Sequence, residues 1–203
     1  MKRRETFLQV RACKSGNMVT PENMESRLDL YLSLVSRWAP RLDLVAPRDL
    51  SRFRDRHIDD CLRLLPLSDA VVPGAAVDVG SGAGLPGIVL AVARPERPWR
   101  LLEPRSKRAG FLEEVVRELG LSNVEVHPVT AEDAARDPGL RRAHVLAVAR
   151  AVAPPDRSLE LLAPLTAPGG TAAVFAGKTA EIPPGAKEWG RGIFIRVAPE
   201  GTN

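Results

Sequence analysis

An apolar run that leads directly into a glycine-rich turn constrains the fold of this chain more than any other feature. The segment is Val77-Asp-Val-Gly-Ser-Gly-Ala-Gly-Leu-Pro-Gly87. Such a turn needs glycine because it uses backbone angles that a β-carbon forbids, and because a ligand must approach the main chain closely. A plain tight turn is the alternative. The apolar residues before the turn and the helical pattern after it favour a nucleotide-type site.

From Gly74 onwards, short apolar runs alternate with helical segments, which is typical of βα units around a parallel sheet. We predict strands near residues 75–79, 99–103, 124–127, 145–149, 171–175 and 193–197. We predict helices near residues 86–92, 108–120 and 155–165. Residues 183–192 are rich in Pro and Gly and are predicted to form a loop, which leaves one strand after the fifth.

The chain before Gly74 lacks this alternation. Residues 1–19 show no clear periodicity and are predicted to be a loosely ordered or disordered arm. From Thr20, a capping residue followed by Pro and Glu predicts a helix start, and apolar residues at helical spacing continue this helix to Pro40. We therefore expect a helical extension over 20–73 and a Rossmann-like core over 74–203, which together form one structural domain.

The composition favours a soluble cytoplasmic protein with a polyanionic partner. A formal net charge of +4 and a pI of 9.5 suit phosphate binding, although a generally basic surface would give the same charge. Cys13 and Cys61 have neither disulfide nor metal-ligand spacing, so no metal is expected. No apolar run approaches the roughly 20 residues that cross a bilayer. We expect a monomer with no membrane partner.

The glycine turn alone leaves two cofactors open. Gly82, Gly84 and Gly87 also fit the dinucleotide fingerprint, so an NAD-dependent oxidoreductase is an alternative. Asp78 places a carboxylate beside the turn, where it would repel a pyrophosphate but attract the ammonium group of S-adenosylmethionine. Glu103, at the end of the second predicted strand, could accept hydrogen bonds from the ribose hydroxyls of either cofactor. Together these features favour S-adenosylmethionine.

A polar segment after the third predicted strand, Thr130-Ala-Glu-Asp133, lies where a Rossmann-like methyltransferase lines its adenine pocket. The alternative is a helix cap with acidic residues in the first turn, and both can hold at once. The fold class that we predict is α/β, a class I S-adenosylmethionine-dependent methyltransferase. Its sheet is expected to be mostly parallel and flanked by helices, with the helical extension at its N-terminus.

At residue level the chain resembles the bacterial 16S ribosomal RNA guanine-N7 methyltransferases, the glucose-inhibited division protein B family. The resemblance covers about residues 28–178. Its most specific parts are the Pro-Gly ending of the glycine turn and Arg56-His-Ile-Asp-Asp60, which is similar to the family's Arg-His-x-x-Asp-Ser. Lys107-Arg108 and the Ala-Arg-Ala around Arg150 are similar to two further family segments. Cys61 and Ala149 stand where the family usually has Ser, and one strand fewer than usual is predicted at the end.

The resemblance implies methyl transfer to N7 of a guanine in 16S ribosomal RNA, by resemblance guanine 527, with this RNA or the 30S subunit as partner. N7 carries a lone pair and no proton, so it can attack the methyl group without a general base. The residues that we expect to carry the reaction are Arg150, Asp60 and His57. Arg150 could hold guanine O6 or a phosphate, or could be a surface arginine. His57 and Asp60 share a helix face and could close the pocket or only cap the helix.

Two larger sets complete the predicted site. The predicted cofactor-binding residues are Asp78, Gly80, Ser81, Gly82, Gly84, Leu85, Glu103, Ala131, Glu132 and Arg150. The predicted RNA-binding residues are Arg56, Arg105, Lys107, Arg108 and Lys178, with Arg48, Arg52 and Arg54 as further candidates. A non-catalytic RNA-binding assembly factor on the same fold is the third hypothesis.

Overall fold

A computed structural model describes residues 20–177, 180–190 and 192–200, and within these ranges the strands form one mixed sheet. The strands are β1 (Ala76–Val79), β2 (Trp99–Leu102), β3 (Val124–His127), β4 (His144–Arg150), β5 (Thr166–Phe175), β6 (Lys187–Gly190) and β7 (Ile193–Val197). Their order is β3-β2-β1-β4-β5-β7-β6. Strands β1 to β5 are parallel, whereas β7 is antiparallel to both of its neighbours.

Helices cover both faces of this sheet. They are α1 (Pro21–Leu42), α2 (Pro47–Leu50), α3 (Asp59–Leu62), α4 (Leu65–Ala70), α5 (Gly87–Ala93), α6 (Ser106–Leu119), α7 (Ala131–Ala134) and α8 (Pro155–Leu162). A π-helical turn spans Arg54–Ile58 and a 3-10 turn spans Ala163–Leu165. The predicted Rossmann-like class I fold, with its mostly parallel sheet and its N-terminal helices, is confirmed. The boundaries at residues 20 and 74 stay a prediction, and the predicted arm over 1–19 lies outside the described residues.

The strand order reverses between β1 and β4, and this reversal locates the ligand site. The chain passes from β1 outwards to β2 and β3, then returns to β4 on the other side of β1. All four residues of β1 are buried, as expected for a central parallel strand that is covered on both faces. Open α/β sheets bind ligands in the crevice beyond the carboxyl ends of the strands at such a reversal.

The prediction of one strand after the fifth was wrong, because β6 lies inside the segment that was predicted to be a loop. The side chains of β6 are mostly exposed, and Lys-Glu-Trp-Gly has no alternating apolar pattern. The strand exists because it pairs with β7, with an irregularity between Glu188 and Gly190. An edge strand that buries no face leaves no periodic signal in the sequence.

Helix α1 packs on the core through one apolar face and extends further than predicted. Thr20 caps it by accepting a hydrogen bond from the Asn23 backbone N–H at 3.2 Å, and residues from Met24 to Ala39 at helical spacing are buried. The helix runs through Pro40 to Leu42. Pro40 is tolerated because, in the last turn, it removes only one intrahelical hydrogen bond.

Arg97 ties the N-terminal helices to the sheet. Its guanidinium is buried and donates to the backbone oxygen of Ser68 at 2.9 Å and to that of Gly74 at 2.9 Å. Ser68 lies in α4, and Gly74 precedes β1. The bond to Ser68 satisfies a carbonyl group that the end of a short helix leaves without a partner, and the bond to Gly74 holds the segment that enters β1. Among the described residues, no helix is both long and apolar enough to cross a bilayer.

Candidate active site

A cavity of about 280 Å³ opens beyond the carboxyl ends of β1 and β4. Its walls come from three parts of the chain that are far apart in sequence. These are residues 44–46 and 49 after α1, the glycine turn from Gly80 to Ala83 with Leu85, and Arg150 with Ala151 at the end of β4; Gly84 does not line the cavity. His57 and Arg108 complete the lining. The strand reversal thus places the predicted glycine turn and the predicted Arg150 on one cavity.

The glycine turn presents its main chain to this cavity at Gly82. Gly82 has φ 55°, a left-handed conformation that disfavours side chains. An added β-carbon there would have Gly80 O as its nearest neighbour, 3.8 Å away. At Gly80, with φ 66°, an added β-carbon would instead lie 2.7 Å from Val152 Cγ2. Gly80 is therefore required for packing, whereas Gly82 keeps the cavity open.

Asp78 lies beneath the turn and does not line the cavity. The residue is fully buried, and its Oδ2 accepts a hydrogen bond from the Gly87 backbone N–H at 3.0 Å. Its Oδ1 is buried without a hydrogen-bond partner among the described residues. Burial raises the pKa of this carboxyl to about 7, although the Gly87 N–H opposes the shift. The carboxyl group thus anchors the start of α5, and its ionised form is poorly compensated under the turn.

Glu103 connects the glycine turn to the loop after β2. Its Oε2 accepts from the Gly82 backbone N–H at 2.9 Å, and its Oε1 accepts from the Arg105 backbone N–H at 3.0 Å. The side chain is buried. Because each carboxylate oxygen has two lone pairs, both oxygens can accept one further hydrogen bond. Glu103 therefore lies at the edge of the turn, and its carboxylate can accept further hydrogen bonds.

The segment after β3 forms the helix cap that the sequence left as one of two possibilities. Thr130 Oγ1 accepts from the Asp133 backbone N–H at 3.1 Å and donates to Asp133 Oδ2 at 2.8 Å. Ala131 is buried and Glu132 is exposed. Neither residue lines the 280 Å³ cavity. Ala131 and Glu132 thus lie at the same carboxyl end of the sheet as the glycine turn, but they are not part of the cavity wall.

The three residues predicted to carry the reaction come together around Arg150. Its Nη2 lies 2.7 Å from His57 Nδ1 and 3.6 Å from Asp60 Oδ2. The guanidinium also lies 5.7 Å from the centre of the Phe175 ring. The Arg150 side chain is only 15% exposed. This burial excludes the alternative of an ordinary surface arginine.

The contact with Arg150 fixes the protonation of His57. An arginine side chain is always a donor, so His57 Nδ1 accepts, and the neutral ring carries its proton on Nε2. Burial, and then the charge of Arg150, lower the pKa of His57. The Nε2 atom is buried and has no hydrogen-bond partner within the described ranges. His57 therefore lines the cavity and carries one buried N–H group that has no partner among the described residues.

The π-helical turn Arg54–Ile58 explains how His57 and Asp60 reach Arg150. A π turn adds a residue to the helical repeat and re-aims the side chains that it contains. His57 lies inside this turn and Asp60 just after it, in α3. No simple sequence pattern marks a π turn, so the geometry could not be foreseen from helical spacing alone.

Several of the predicted RNA-binding arginines are engaged within the protein. Arg108 donates to the backbone oxygens of Leu42 at 3.3 Å and Asp43 at 2.6 Å, which caps the end of α1. Arg56 pairs with Asp49 at 2.6 Å. Arg54, a further candidate, bonds the Glu25 and Asp29 carboxylates of α1.

Other members of the basic set are exposed and lie close in sequence to residues that line the cavity. The exposed members are Arg48, Arg52, Arg105 and Lys107. Arg48 follows the lining segment 44–46, and Lys107 precedes the lining residue Arg108. Lys178 lies outside the described residues. The structure describes no group of three or more His, Cys, Asp or Glu residues that could hold a metal ion.

Two residues at the site were missed by the sequence analysis. Tyr31, fully buried on α1, donates from its hydroxyl to the Ala83 backbone oxygen at 2.6 Å. Cys61 is buried with its Sγ 3.7 Å from Arg150 Nη1, and burial raises the pKa of this thiol to about 12. Cys61 is therefore a neutral packing residue. Tyr31 fits the apolar face of an amphipathic helix, so nothing in the sequence distinguishes it from a core residue.

Comparison with known proteins agrees with this geometry. The family model for rRNA small subunit methyltransferase G matches residues 24–188. A protein of that description from Granulibacter bethesdensis is 42% identical over 191 residues, 93% of this chain and 84% of the relative. One from Acidiphilium cryptum is 40% identical over 168 residues, 80% of this chain and 73% of the relative.

Solved structures show the same fold at low identity. A protein from Corynebacterium glutamicum has a TM-score of 0.57 at 17% identity, covering 86% of this chain and 93% of that one. A mutant of MtNAS in complex with S-adenosylmethionine has a TM-score of 0.53 at 16% identity, covering 87% and 76%. The family match spans most of the chain and favours a methyltransferase over the oxidoreductase and non-catalytic alternatives. This chain belongs to the rRNA small subunit methyltransferase G family.

Proposed function

We propose that this protein transfers a methyl group from S-adenosylmethionine to N7 of a guanine in 16S ribosomal RNA. The observation that carries the proposal is that Arg150 and His57 line the same cavity as the glycine turn and that Arg150 also contacts Asp60. Family membership supplies the RNA class. We further expect a cytoplasmic monomer that acts on 16S RNA alone or within the 30S subunit.

The residues around the turn fit S-adenosylmethionine, which supplies a methyl group activated by a positively charged sulfur. Gly82 leaves room for the ligand against the main chain. Glu103 retains lone pairs for two ribose hydroxyls. Asp78 holds a buried carboxyl, one oxygen of which is unpaired within the described part of the chain, and a cationic ligand above the turn would stabilise the ionised form of this carboxyl. These features support binding of a cation that carries a ribose.

Ala131 and Glu132 are proposed to border the adenine end of this ligand. They follow β3, and the register that pairs Leu102 with His127 brings the ends of β2 and β3 together. Glu103 and the α7 segment therefore follow adjacent strands at one edge. Gly80, Ser81, Gly84 and Leu85 are proposed to shape the turn on the other side of the ligand.

Arg150 and His57 are proposed to orient the guanine. Guanine presents O6 and N7 as neighbouring acceptors, so an N–H donor on O6 would leave the N7 lone pair free. Because N7 has no proton, no residue has to act as a base. Positive charge moves onto the purine during transfer, and a neutral His57 avoids adding a second cation beside Arg150. Asp60, 3.6 Å from Arg150, offsets the positive charge of that arginine.

The exposed cations of the basic set are proposed to bind RNA phosphates. Arg48, Arg52, Arg105 and Lys107 are exposed and lie within four residues in sequence of cavity-lining residues. Contacts to phosphate position a nucleic acid without reading its sequence. Arg56 and Arg108 already have partners within the protein, so we expect smaller effects from their removal. The predicted role of Lys178 stays a prediction.

Methyl transfer to unmodified RNA tests the proposal. Wild type would be incubated with S-adenosylmethionine labelled in its methyl group and with 16S RNA or 30S particles that lack the modification. Borohydride and aniline cleavage would then locate N7-methylguanine. Arg150→Ala should lower kcat/KM about 100-fold or more, whereas Arg157→Ala, an exposed arginine paired with Glu160 on α8, should change it less than about twofold. Label on another atom, or equal loss in both variants, would contradict the assignment.

A further inference from the structure

A hydrogen bond from outside the predicted site holds the centre of the glycine turn. The Tyr31 hydroxyl donates to the Ala83 backbone oxygen at 2.6 Å across 52 positions of sequence. Ala83 lies between Gly82 and Gly84, and it lines the 280 Å³ cavity. Tyr31 is fully buried on α1. The N-terminal helix thus reaches the proposed cofactor turn through one phenol group.

With this bond, the peptide unit between Ala83 and Gly84 is held by hydrogen bonds on both sides. The unit that joins Ala83 to Gly84 has its N–H bonded to the Ser81 oxygen at 2.6 Å, while its carbonyl accepts from Tyr31. Gly84 has φ 97°, in a region where glycine rotates with little restraint. Without the phenol, the described residues supply no other donor to this carbonyl. The peptide unit would then be held from one side only.

Aromatic contacts continue from Tyr31 to Arg150. The Tyr31 ring meets the Phe53 ring edge to face, with ring centres 5.9 Å apart. The Phe53 ring lies 5.3 Å from that of His57, and His57 accepts from Arg150. Tyr31 and Phe53 are both fully buried. A contiguous set of packed groups therefore connects the turn with the proposed guanine-binding arginine.

We propose that Tyr31 is a positioning residue that pre-orders the Ala83–Gly84 peptide for the cofactor and links this turn to the His57–Arg150 pair. The inference rests on the proposed function, because it takes the turn to be the S-adenosylmethionine site. A turn that is already ordered loses less conformational freedom when the ligand binds, and this raises affinity. Burial also raises the pKa of Tyr31 well above its usual value, so the phenol stays a donor at neutral pH.

The first test removes the hydroxyl alone. Tyr31→Phe should weaken binding of S-adenosylhomocysteine, measured by calorimetry, about tenfold. The kcat at saturating cofactor should stay within about threefold of wild type, because Tyr31 touches no reacting atom. Thr20→Ala is the matched control, since it removes the cap of the same helix without touching the turn. It should lower stability and leave the dissociation constant unchanged.

The second test needs no substitution and uses the fact that Tyr31 is the only tyrosine in the chain. Protein grown with 3-fluorotyrosine carries one fluorine label, beside the hydroxyl in question. Adding S-adenosylhomocysteine should shift its ¹⁹F resonance, because the ligand would bind against the turn whose Ala83 carbonyl accepts from the labelled phenol. If wild type binds S-adenosylhomocysteine but Tyr31→Phe binds it equally tightly, or if binding produces no ¹⁹F shift, the inference is overturned while the proposed function stands. A wild type that binds no cofactor would instead overturn the proposed function, and the inference with it.

Discussion

Replacing Asp78 with Asn should stabilise the ligand-free protein more as the pH rises. Asp78 is fully buried, and burial raises its pKa from 3.8 to about 7. Between these two values the folded protein keeps a proton that the unfolded chain has lost. Stability from this group is therefore lost with rising pH, at about 1.4 kcal/mol per pH unit. Asn is isosteric, does not titrate, and can still accept from Gly87.

The size of the expected change in stability depends on how much of the interval between the two pKa values the assay covers. From pH 5 to pH 8 the wild type loses about 3 kcal/mol through Asp78, and the variant loses none of it. Unfolding in urea at both pH values gives the difference in free energy between variant and wild type. That difference should grow by about 3 kcal/mol towards pH 8 in favour of Asn. At pH 5 the wild-type carboxyl is already protonated, so the variant gains nothing from removing the charge, and its unpaired amide N–H costs about 1–3 kcal/mol at both pH values.

A control separates this effect from other titrations. Asp156→Asn replaces an exposed carboxylate in α8, and its difference from wild type should vary by less than about 0.5 kcal/mol between the two pH values. Other groups titrate equally in wild type and variant, so they cancel in the difference. An Asp78→Asn difference that is the same at pH 5 and pH 8 would refute the placement of an ionisable carboxyl under the turn.

Three further predictions concern packing, the cavity and pH. Arg97→Met should destabilise the protein by about 2–4 kcal/mol in urea, because the Ser68 and Gly74 carbonyls lose their donor; a loss below about 0.5 kcal/mol would contradict this. Gly82→Asp should abolish cofactor binding in calorimetry while circular dichroism stays native, since the new side chain enters the cavity; retained binding would show that the ligand sits elsewhere. Burial lowers the pKa of His144 to about 4 from 6.5, so below pH 6.5 the unfolded chain binds a proton that the folded protein does not. The His144 contribution to stability should therefore fall by about 2 kcal/mol from pH 7 to pH 5, and the difference in unfolding free energy between His144→Gln and wild type should move by that amount in favour of the variant; a difference that is equal at both pH values would contradict this.

The sheet was predictable where strands bury side chains and not where they do not. Strands β1 to β5 carry apolar runs because both faces of a parallel sheet are covered, so their positions follow from composition and period. β6 is an exposed edge strand, and only its pairing with β7 defines it. Helix α1 continues beyond Pro40, where the sequence predicted its end, because a proline in the last turn removes little hydrogen bonding.

The sequence was enough to predict which residues of the site lie close together. It was not enough to predict the directions in which their side chains point. The convergence of Arg150 with His57 and Asp60 depends on a π turn, which has no sequence period of its own. Asp78 was expected beside the ligand and lies beneath the turn, because its place in β1 directs the side chain into the core under α5. Arg108 was assigned to RNA, yet its nearest acceptors are the free carbonyls at the end of α1. Such choices depend on tertiary neighbours, which sequence spacing does not specify.

The location of the cofactor is the central claim, and a crystal structure with S-adenosylhomocysteine tests it most directly. The ligand should occupy the cavity between Gly82 and Arg150, with its ribose hydroxyls within hydrogen-bonding distance of the Glu103 carboxylate. Density for the ligand elsewhere, or a Glu103 that makes no ligand contact, would contradict the account.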